Sequence, residues 1–113
     1  MSDLIRRMRE AREMKVDIAG FSFTLRRPTK VERYSWAREG IKDVAILGKC
    51  VVGWKGVKES DLVPSGGNID VPFDIAVLEE WVGDRDDILM PLLDGIKDMI
   101  AKTETAKDVT LKN

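Results

Sequence analysis

Residues 15–26 read KVDIAGFSFTLR and carry the clearest local pattern in the chain. Apolar side chains alternate with polar ones on both sides of Ala19-Gly20, at Val16, Ile18, Phe21, Phe23 and Leu25. A two-residue turn at Ala19-Gly20 would place Val16 opposite Phe23 and all of these apolar side chains on one face. The stretch therefore predicts a β-hairpin. Because an isolated hairpin is marginally stable in water, its apolar face must pack on helices.

Helical patterns flank this hairpin. Residues 3–14 place apolar side chains at helical spacing with charges on the opposite face, which predicts a short N-terminal helix. Thr29 and, three residues later, Glu32 form a capping box that starts a second helix, which runs to about Arg38. Asp74 caps another helix further along the chain, and a last helix with a broad apolar face follows it.

Residues 41–57 allow two interpretations. Apolar side chains recur every three or four residues from Ile41 to Trp54, which suits a buried helix that ends at Gly53. The β-branched run Cys50-Val51-Val52 could instead form a strand, and periodicity alone does not exclude it.

Two later segments lack a regular pattern. Residues 59–70 include the turn-forming run PSGGN, which predicts an exposed loop. After Thr103 the chain shows neither periodicity nor a closing cap, which predicts a flexible C-terminal tail over residues 104–113.

Together these patterns predict a single α+β domain over residues 1–103, mostly helical and with one N-terminal β-hairpin. The chain has 113 residues, of which 43% are hydrophobic and 35% charged. This length and composition suit one soluble domain that buries its own core.

Charge is distributed unevenly along the chain, although the net charge is −1. Residues 1–58 contain 14 Lys and Arg against 7 Asp and Glu, whereas residues 59–113 contain 5 against 13. The two halves could attract each other within one domain, or opposite poles could dock between copies and favour head-to-tail self-association. A nucleic-acid site on the basic half is disfavoured, because the arginines at residues 6, 7, 9 and 12 alternate with Asp3, Glu10 and Glu13 and lack aromatic neighbours.

The residue inventory argues against catalysis. The chain has no histidine, so the commonest general base and the commonest transition-metal ligand are missing. Cys50 is the single cysteine, and we interpret it as a buried apolar residue instead of a nucleophile or a zinc ligand. We therefore expect a non-enzymatic protein without a cofactor or a metal. We also expect no membrane span and a reducing compartment, because apolar runs are short and the cysteine is alone.

A glycine-flanked and proline-flanked aromatic motif joins the two halves of the chain. It consists of residues 51–57, VVGWKGV, and residues 71–74, VPFD. We interpret it as a structural latch that holds helical segments together. Its residues are Gly53, Trp54, Gly56, Val57, Pro72 and Phe73, together with Trp81.

Over roughly residues 20–100 the chain resembles the tail assembly chaperones of long-tailed bacteriophages. The resemblance rests on Gly-Trp-Lys-Gly at residues 53–56, on Pro72-Phe73-Asp74 opening a helix, and on Trp81 in an acidic helix. The hairpin edge over residues 21–29 is similar to that family as well.

This resemblance implies a non-enzymatic protein that coats the tape measure protein, keeps it soluble and helps to recruit tail tube protein subunits. It also implies action in the cytoplasm of the bacterial host, before the mature tail is complete. Repeated head-to-tail contacts between copies would suit such a coat. The alternative is a permanent structural protein of the virion, such as a head-tail connector or a tail terminator.

Four residues are candidates for binding the client: Leu4, Ile5, Met8 and Trp36. The first three form the thin apolar stripe of the N-terminal helix, and terminal helices of this kind are often ordered by a partner. Helical phasing places Trp36 outside the stripe of Val31 and Tyr34, so we expect Trp36 to be an exposed anchor.

Overall fold

A computed structural model describes the backbone of residues 2–112 and the side chains of residues 2–104. In chain order the elements are α1 (Asp3–Glu10), β1 (Glu13–Ile18), β2 (Phe21–Arg26), α2 (Lys30–Glu39), α3 (Asp43–Cys50), β3 (Val51–Lys55), α4 (Glu59–Leu62), α5 (Ile75–Val82) and α6 (Asp86–Lys112). The three strands form an antiparallel sheet in the order β1-β2-β3. The predicted α+β fold class is confirmed.

The hairpin of β1 and β2 has the predicted register. Val16 lies opposite Phe23 and Ile18 lies opposite Phe21. The turn residues Ala19 and Gly20 have φ angles of 55° and 85°, as a type I′ turn requires. Local alternation and turn geometry therefore fix this part of the fold.

Residues 41–57 are helix first and strand second. The helix α3 ends at Cys50, so the prediction of a helix that continues to Gly53 is wrong. From Val51 the chain pairs with β2, where Thr24 lies opposite Gly53 but Leu25 lies opposite Val51. This register shift is a β-bulge that leaves Val52 outside the ladder.

The loop predicted over residues 59–70 is partly ordered. It contains the short helix α4, and a β-bridge between Lys58 and Asp70 closes its two ends. The Lys58 ammonium also lies 2.6 Å from the Asp70 carboxylate. The segment is therefore a loop whose first and last residues are held together.

The core lies between the sheet and the helices α3, α5 and α6. Its buried residues are Phe23, Leu25, Leu47, Cys50, Val51, Trp54, Val57, Leu78, Trp81, Val82, Ile88, Leu92, Leu93 and Ile96. The hairpin contributes its apolar face to this core, because Phe23 and Leu25 are fully buried. Buried Cys50 belongs to the same cluster, as its interpretation as an apolar residue predicts.

Trp54 connects the strand β3 to the segment before α5. Its indole Nε1 donates a hydrogen bond of 2.7 Å to the carbonyl oxygen of Val71. Its ring packs edge-on against Phe73, with centroids 5.1 Å apart, and against Trp81, with centroids 5.9 Å apart. The aromatic motif is thus a set of contacts between chain segments inside the domain.

The last helix is longer than the predicted domain. The backbone of α6 continues to Lys112, beyond residue 103. Within the segment predicted as a tail, Glu104 accepts a hydrogen bond of 2.6 Å from Arg33 Nη2 on α2. The flexibility predicted for residues 104–113 stays a prediction, and the side chains of residues 105–113 lie outside the described residues.

Candidate partner-binding surfaces

The helix α1 presents apolar side chains to solvent. Leu4, Ile5 and Met8 are exposed by 59%, 43% and 53%, and no residue of α1 is buried. Helical spacing places these three side chains on one face, which we call the α1 ridge. Isolated apolar residues on a surface are ordinary, but three neighbours on a helix without packing partners indicate an interaction surface.

Local interactions hold α1 together. The Ser2 hydroxyl accepts a hydrogen bond of 3.1 Å from the Ile5 amide and caps the helix. The Asp3 carboxylate pairs with Arg6 and Arg7, one turn away. Exposed pairs of this type contribute only about 0.3–0.5 kcal/mol each. An eight-residue helix held by such weak interactions is only marginally stable, so a partner that buries the α1 ridge would also stabilise the helix.

Trp36 is not the exposed anchor that the sequence predicts. It is half-buried and packs against the core, and Lys49 Nζ lies 5.9 Å from the centroid of its ring. Val31 and Tyr34 face solvent instead, with exposures of 77% and 60%. The phase of α2 was misassigned because this helix has no pronounced apolar stripe, so the larger aromatic turns towards α3 and α6.

Trp36 nevertheless lines an open apolar groove between α2, α3 and α6. The groove has a volume of about 220 Å³. Its walls are formed by Pro28, Arg33, Trp36, Ala37, Ile41, Asp43, Ile46, Leu93, Ile96, Lys97 and Ile100. We call this surface the Trp36 groove. It is large enough to receive apolar side chains of a partner helix, and apolar clefts of this kind are typical binding sites.

Arg33 supplies a polar group at the wall of the Trp36 groove. Its Nη2 is engaged by Glu104, whereas its Nε is buried and has no hydrogen-bond acceptor. An unmet buried donor is unfavourable for the fold, and because protein atoms enclose this nitrogen, it is not a contact point for a partner.

A second, polar cleft lies between the end of α1 and the start of α2. It has a volume of about 490 Å³ and is lined by Arg9, Arg12, Glu13, Arg26, Thr29, Glu32 and Val52. Arg26 and Glu32 form a two-pronged ion pair across it, with both nitrogen–oxygen distances at 2.8 Å. Because carboxylates and guanidinium groups alternate there, the cleft is not the continuous basic track that a nucleic-acid backbone requires.

One exposed side of α6 is mainly acidic, although Lys97 is also exposed on this helix and Arg85 pairs with Asp87 at 2.8 Å. Asp86, Asp87, Asp94 and Asp98 are exposed and recur at the spacing of one helix face. Met90 lies among them and is 51% exposed. We call this face the acidic stripe. The sequence pattern does not single out Met90, because this residue belongs to neither the apolar face nor the charge pattern of α6.

The described residues bear on three questions, which are metal binding, the reactivity of the cysteine and membrane spans. Within residues 2–104, no group of three or more histidine, cysteine or carboxylate side chains is placed to hold a metal ion. Burial raises the pKa of the Cys50 thiol to about 11, which keeps it protonated and unreactive near neutral pH. In the part of the chain that the structure describes, no helix has the length and apolar character of a membrane span.

The structure separates the predicted partner-binding residues. Leu4, Ile5 and Met8 lie on the α1 ridge, whereas Trp36 lines the Trp36 groove. Comparison with protein-family models, with curated proteins and with solved structures found no match. The proposal for function therefore rests on the α1 ridge, the Trp36 groove and the acidic stripe.

Proposed function

We propose that this protein is a phage tail assembly chaperone that coats the tape measure protein and keeps it soluble. It would act in the cytoplasm of the bacterial host and help to recruit tail tube protein subunits, entirely through protein contacts. The observation that carries the proposal is the Trp36 groove, an open apolar cleft beside the buried core.

The Trp36 groove suits a long helical client. Apolar side chains at every third or fourth position of a client helix would enter between α2, α3 and α6. Burying one such side chain contributes about 1.5–3 kcal/mol, or a factor of about 10–100 in affinity. One groove would bind the client helix weakly, whereas many copies bound along one client would cover it stably.

The distribution of charge suits a coat that is later released. The basic half and the acidic half of the chain would attract each other between neighbouring copies. Contacts between exposed charges are screened by salt and are individually weak, so they dissociate readily. Release is required of a chaperone that leaves before the tail is complete.

Co-expression with the tape measure protein of the same phage tests the role of the groove. Ala37 is exposed at the groove wall, so Ala37→Phe would fill the groove without removing a core contact. We expect this variant to lower the yield of soluble tape measure protein by about 10-fold. Ala76→Phe, on the exposed side of α5, is the matched control and should leave the yield unchanged. Equal yields from both variants would remove the groove from client binding.

The composition of purified virions separates this function from its alternative. A tail assembly chaperone should be missing from mature particles, whereas a head-tail connector or a tail terminator should be present in fixed copy number. Mass spectrometry of particles from the same phage measures this directly. Recovery of this chain in stoichiometric amounts would favour the permanent structural role.

A further inference from the structure

We infer that α1 of one copy docks on the acidic stripe of α6 of a second copy. This inference names the self-association surface of the coat proposed above, and in that sense it rests on the proposed function. The contact itself depends only on exposure and charge within this chain, and it can be measured without a client.

The α1 ridge combines an unpartnered apolar face with basic flanks. Leu4, Ile5 and Met8 form its apolar centre. At 3.6 residues per turn, Arg7 and Arg9 fall on opposite sides of that centre. A complementary surface must therefore offer an apolar contact between carboxylates.

The acidic stripe has this arrangement. Met90 is half exposed at its centre, Asp86 and Asp87 lie one turn before it, and Asp94 lies one turn after it. Methionine is flexible and polarizable, so Met90 and Met8 would adapt to each other at such a contact. Carboxylates on both sides of Met90 would meet the guanidinium groups on both sides of the α1 ridge.

The apolar parts of the two faces are exposed, whereas Arg7 pairs with Asp3 and Asp87 pairs with Arg85 within the chain, so a contact between copies would exchange these exposed ion pairs. The apolar side chains of α1 and Met90 on α6 are all exposed in the same structure. A contact between copies buries both, and because its two surfaces differ, it is heterologous and head-to-tail. Contacts of this type close into rings or extend into filaments, and a filament of copies can follow an elongated client.

The contact is small, which sets its strength. An eight-residue helix against one face of another helix buries well below the roughly 1,200 Å² of a stable pairwise interface. We therefore expect a weak association that strengthens with protein concentration and weakens with salt. Assembly along a client would raise the effective concentration of neighbouring copies.

A charge-swap experiment tests the contact. One variant carries Arg7→Glu and Arg9→Glu, and the other carries Asp86→Lys and Asp94→Lys, which reverse the charge on both sides of Met90. All four positions are exposed, and circular dichroism checks that both variants fold. In sedimentation velocity at low salt, the wild-type protein should form concentration-dependent oligomers, and each variant alone should remain monomeric. An equimolar mixture of the two should assemble again, because every α1 then meets an α6 of opposite charge.

A matched control has the same change in net charge at another place. Lys15→Glu with Lys55→Glu changes two exposed lysines of the sheet and should assemble like the wild type at equal ionic strength. A wild-type protein that is monomeric at all concentrations would overturn the inference. Charge-swapped variants that assemble alone would also overturn it. A mixture of the two variants that stays monomeric, when each variant alone is monomeric, would do so as well. If a swapped variant does not fold, Met8→Ser and Met90→Ser test the same contact, and unchanged assembly of both would overturn it.

Discussion

Ala19 adopts a backbone conformation that alanine disfavours. Its φ of 55° lies in the left-handed region, and it precedes Gly20 in the turn between β1 and β2. A side chain with a β-carbon costs roughly 1–2 kcal/mol in this region, whereas asparagine and glycine are tolerated there. The turn nevertheless forms, because the register that it sets buries Phe23 and Leu25.

Replacing Ala19 by asparagine should therefore stabilise the protein. We expect Ala19→Asn to raise the free energy of unfolding by about 0.5–1 kcal/mol, because asparagine suits the type I′ turn. Urea unfolding followed by circular dichroism measures the change. Ser22→Asn, on the paired strand of the same hairpin, is the control and should not stabilise; a lower stability for Ala19→Asn would contradict the turn assignment.

Glu32 makes the stability of the domain dependent on pH. Hydrogen bonds from Arg26, acting against the desolvation of the half-buried carboxyl, lower the pKa of Glu32 from 4.5 to about 2. Because the folded pKa lies below the unfolded value, the stabilisation is complete above pH 4.5 and is lost as the pH falls towards about 2.

Glu32→Gln isolates this effect, because glutamine retains the capping-box geometry at Thr29 and removes the charge. We expect the substitution to cost about 2 kcal/mol near neutral pH. The difference from the wild-type protein should shrink below pH 4.5 and nearly vanish at about pH 2. Urea unfolding at a series of pH values measures it, and a difference independent of pH would contradict the role of the ion pair.

At the scale of elements, Trp54 joins the strand β3 to the segment before α5, next to the backbone hydrogen bond between Val71 and Val57. Trp54 supplies a hydrogen bond to Val71 and ring contacts to Phe73 and Trp81. The function of this residue is therefore structural, and its loss should affect stability before it affects any partner.

Two substitutions of Trp54 separate its hydrogen bond from its packing. Trp54→Phe keeps an aromatic ring but leaves the Val71 carbonyl without its donor, which should cost about 1–3 kcal/mol. Trp54→Ala also opens a cavity and should cost about 3–5 kcal/mol. Thermal and urea unfolding rank the two variants. An alanine variant as stable as the wild type would show that Trp54 does not join these segments.

The elements that sequence predicts well are those fixed by local patterns. The hairpin register follows from alternation over residues 15–26, and the start of α2 follows from the capping box at Thr29. The sequence does not decide between helix and strand for β3, because the positions of Val51 and Trp54 suit a helix as well as a strand that contains a bulge. Only long-range pairing with β2 decides between them.

The candidate surfaces are less predictable for a similar reason. The exposure of Leu4, Ile5 and Met8 agrees with the pattern of α1, because its charges leave no second apolar face. Trp36 was placed wrongly because the orientation of α2 depends on its contacts with other helices. The Trp36 groove is formed by three helices that are separated in the sequence, so no local sequence pattern predicts it.

At the scale of the molecule, the α1 ridge is energetically separate from the core of the domain. The α1 ridge contributes no buried side chain to the core. We expect Leu4→Ser with Met8→Ser to change the free energy of unfolding by less than about 0.5 kcal/mol, as is usual at exposed positions. The same double variant should reduce self-association in sedimentation velocity. A large loss of stability would instead show that α1 is part of the fold.

The two proposed surfaces give the molecule two separate tasks. The Trp36 groove would hold the client, while the α1 ridge and the acidic stripe would join neighbouring copies. Each contact is weak by itself, and repetition along an elongated client makes the assembly stable. High salt should therefore disassemble the coat without unfolding its subunits.

The most direct test of the proposed function is the solubility of the tape measure protein, expressed with and without this chain at equal levels. We predict that the tape measure protein is recovered in the soluble fraction only when this chain is present, in a complex that contains many copies of it. A tape measure protein whose solubility is the same with and without this chain would contradict the account.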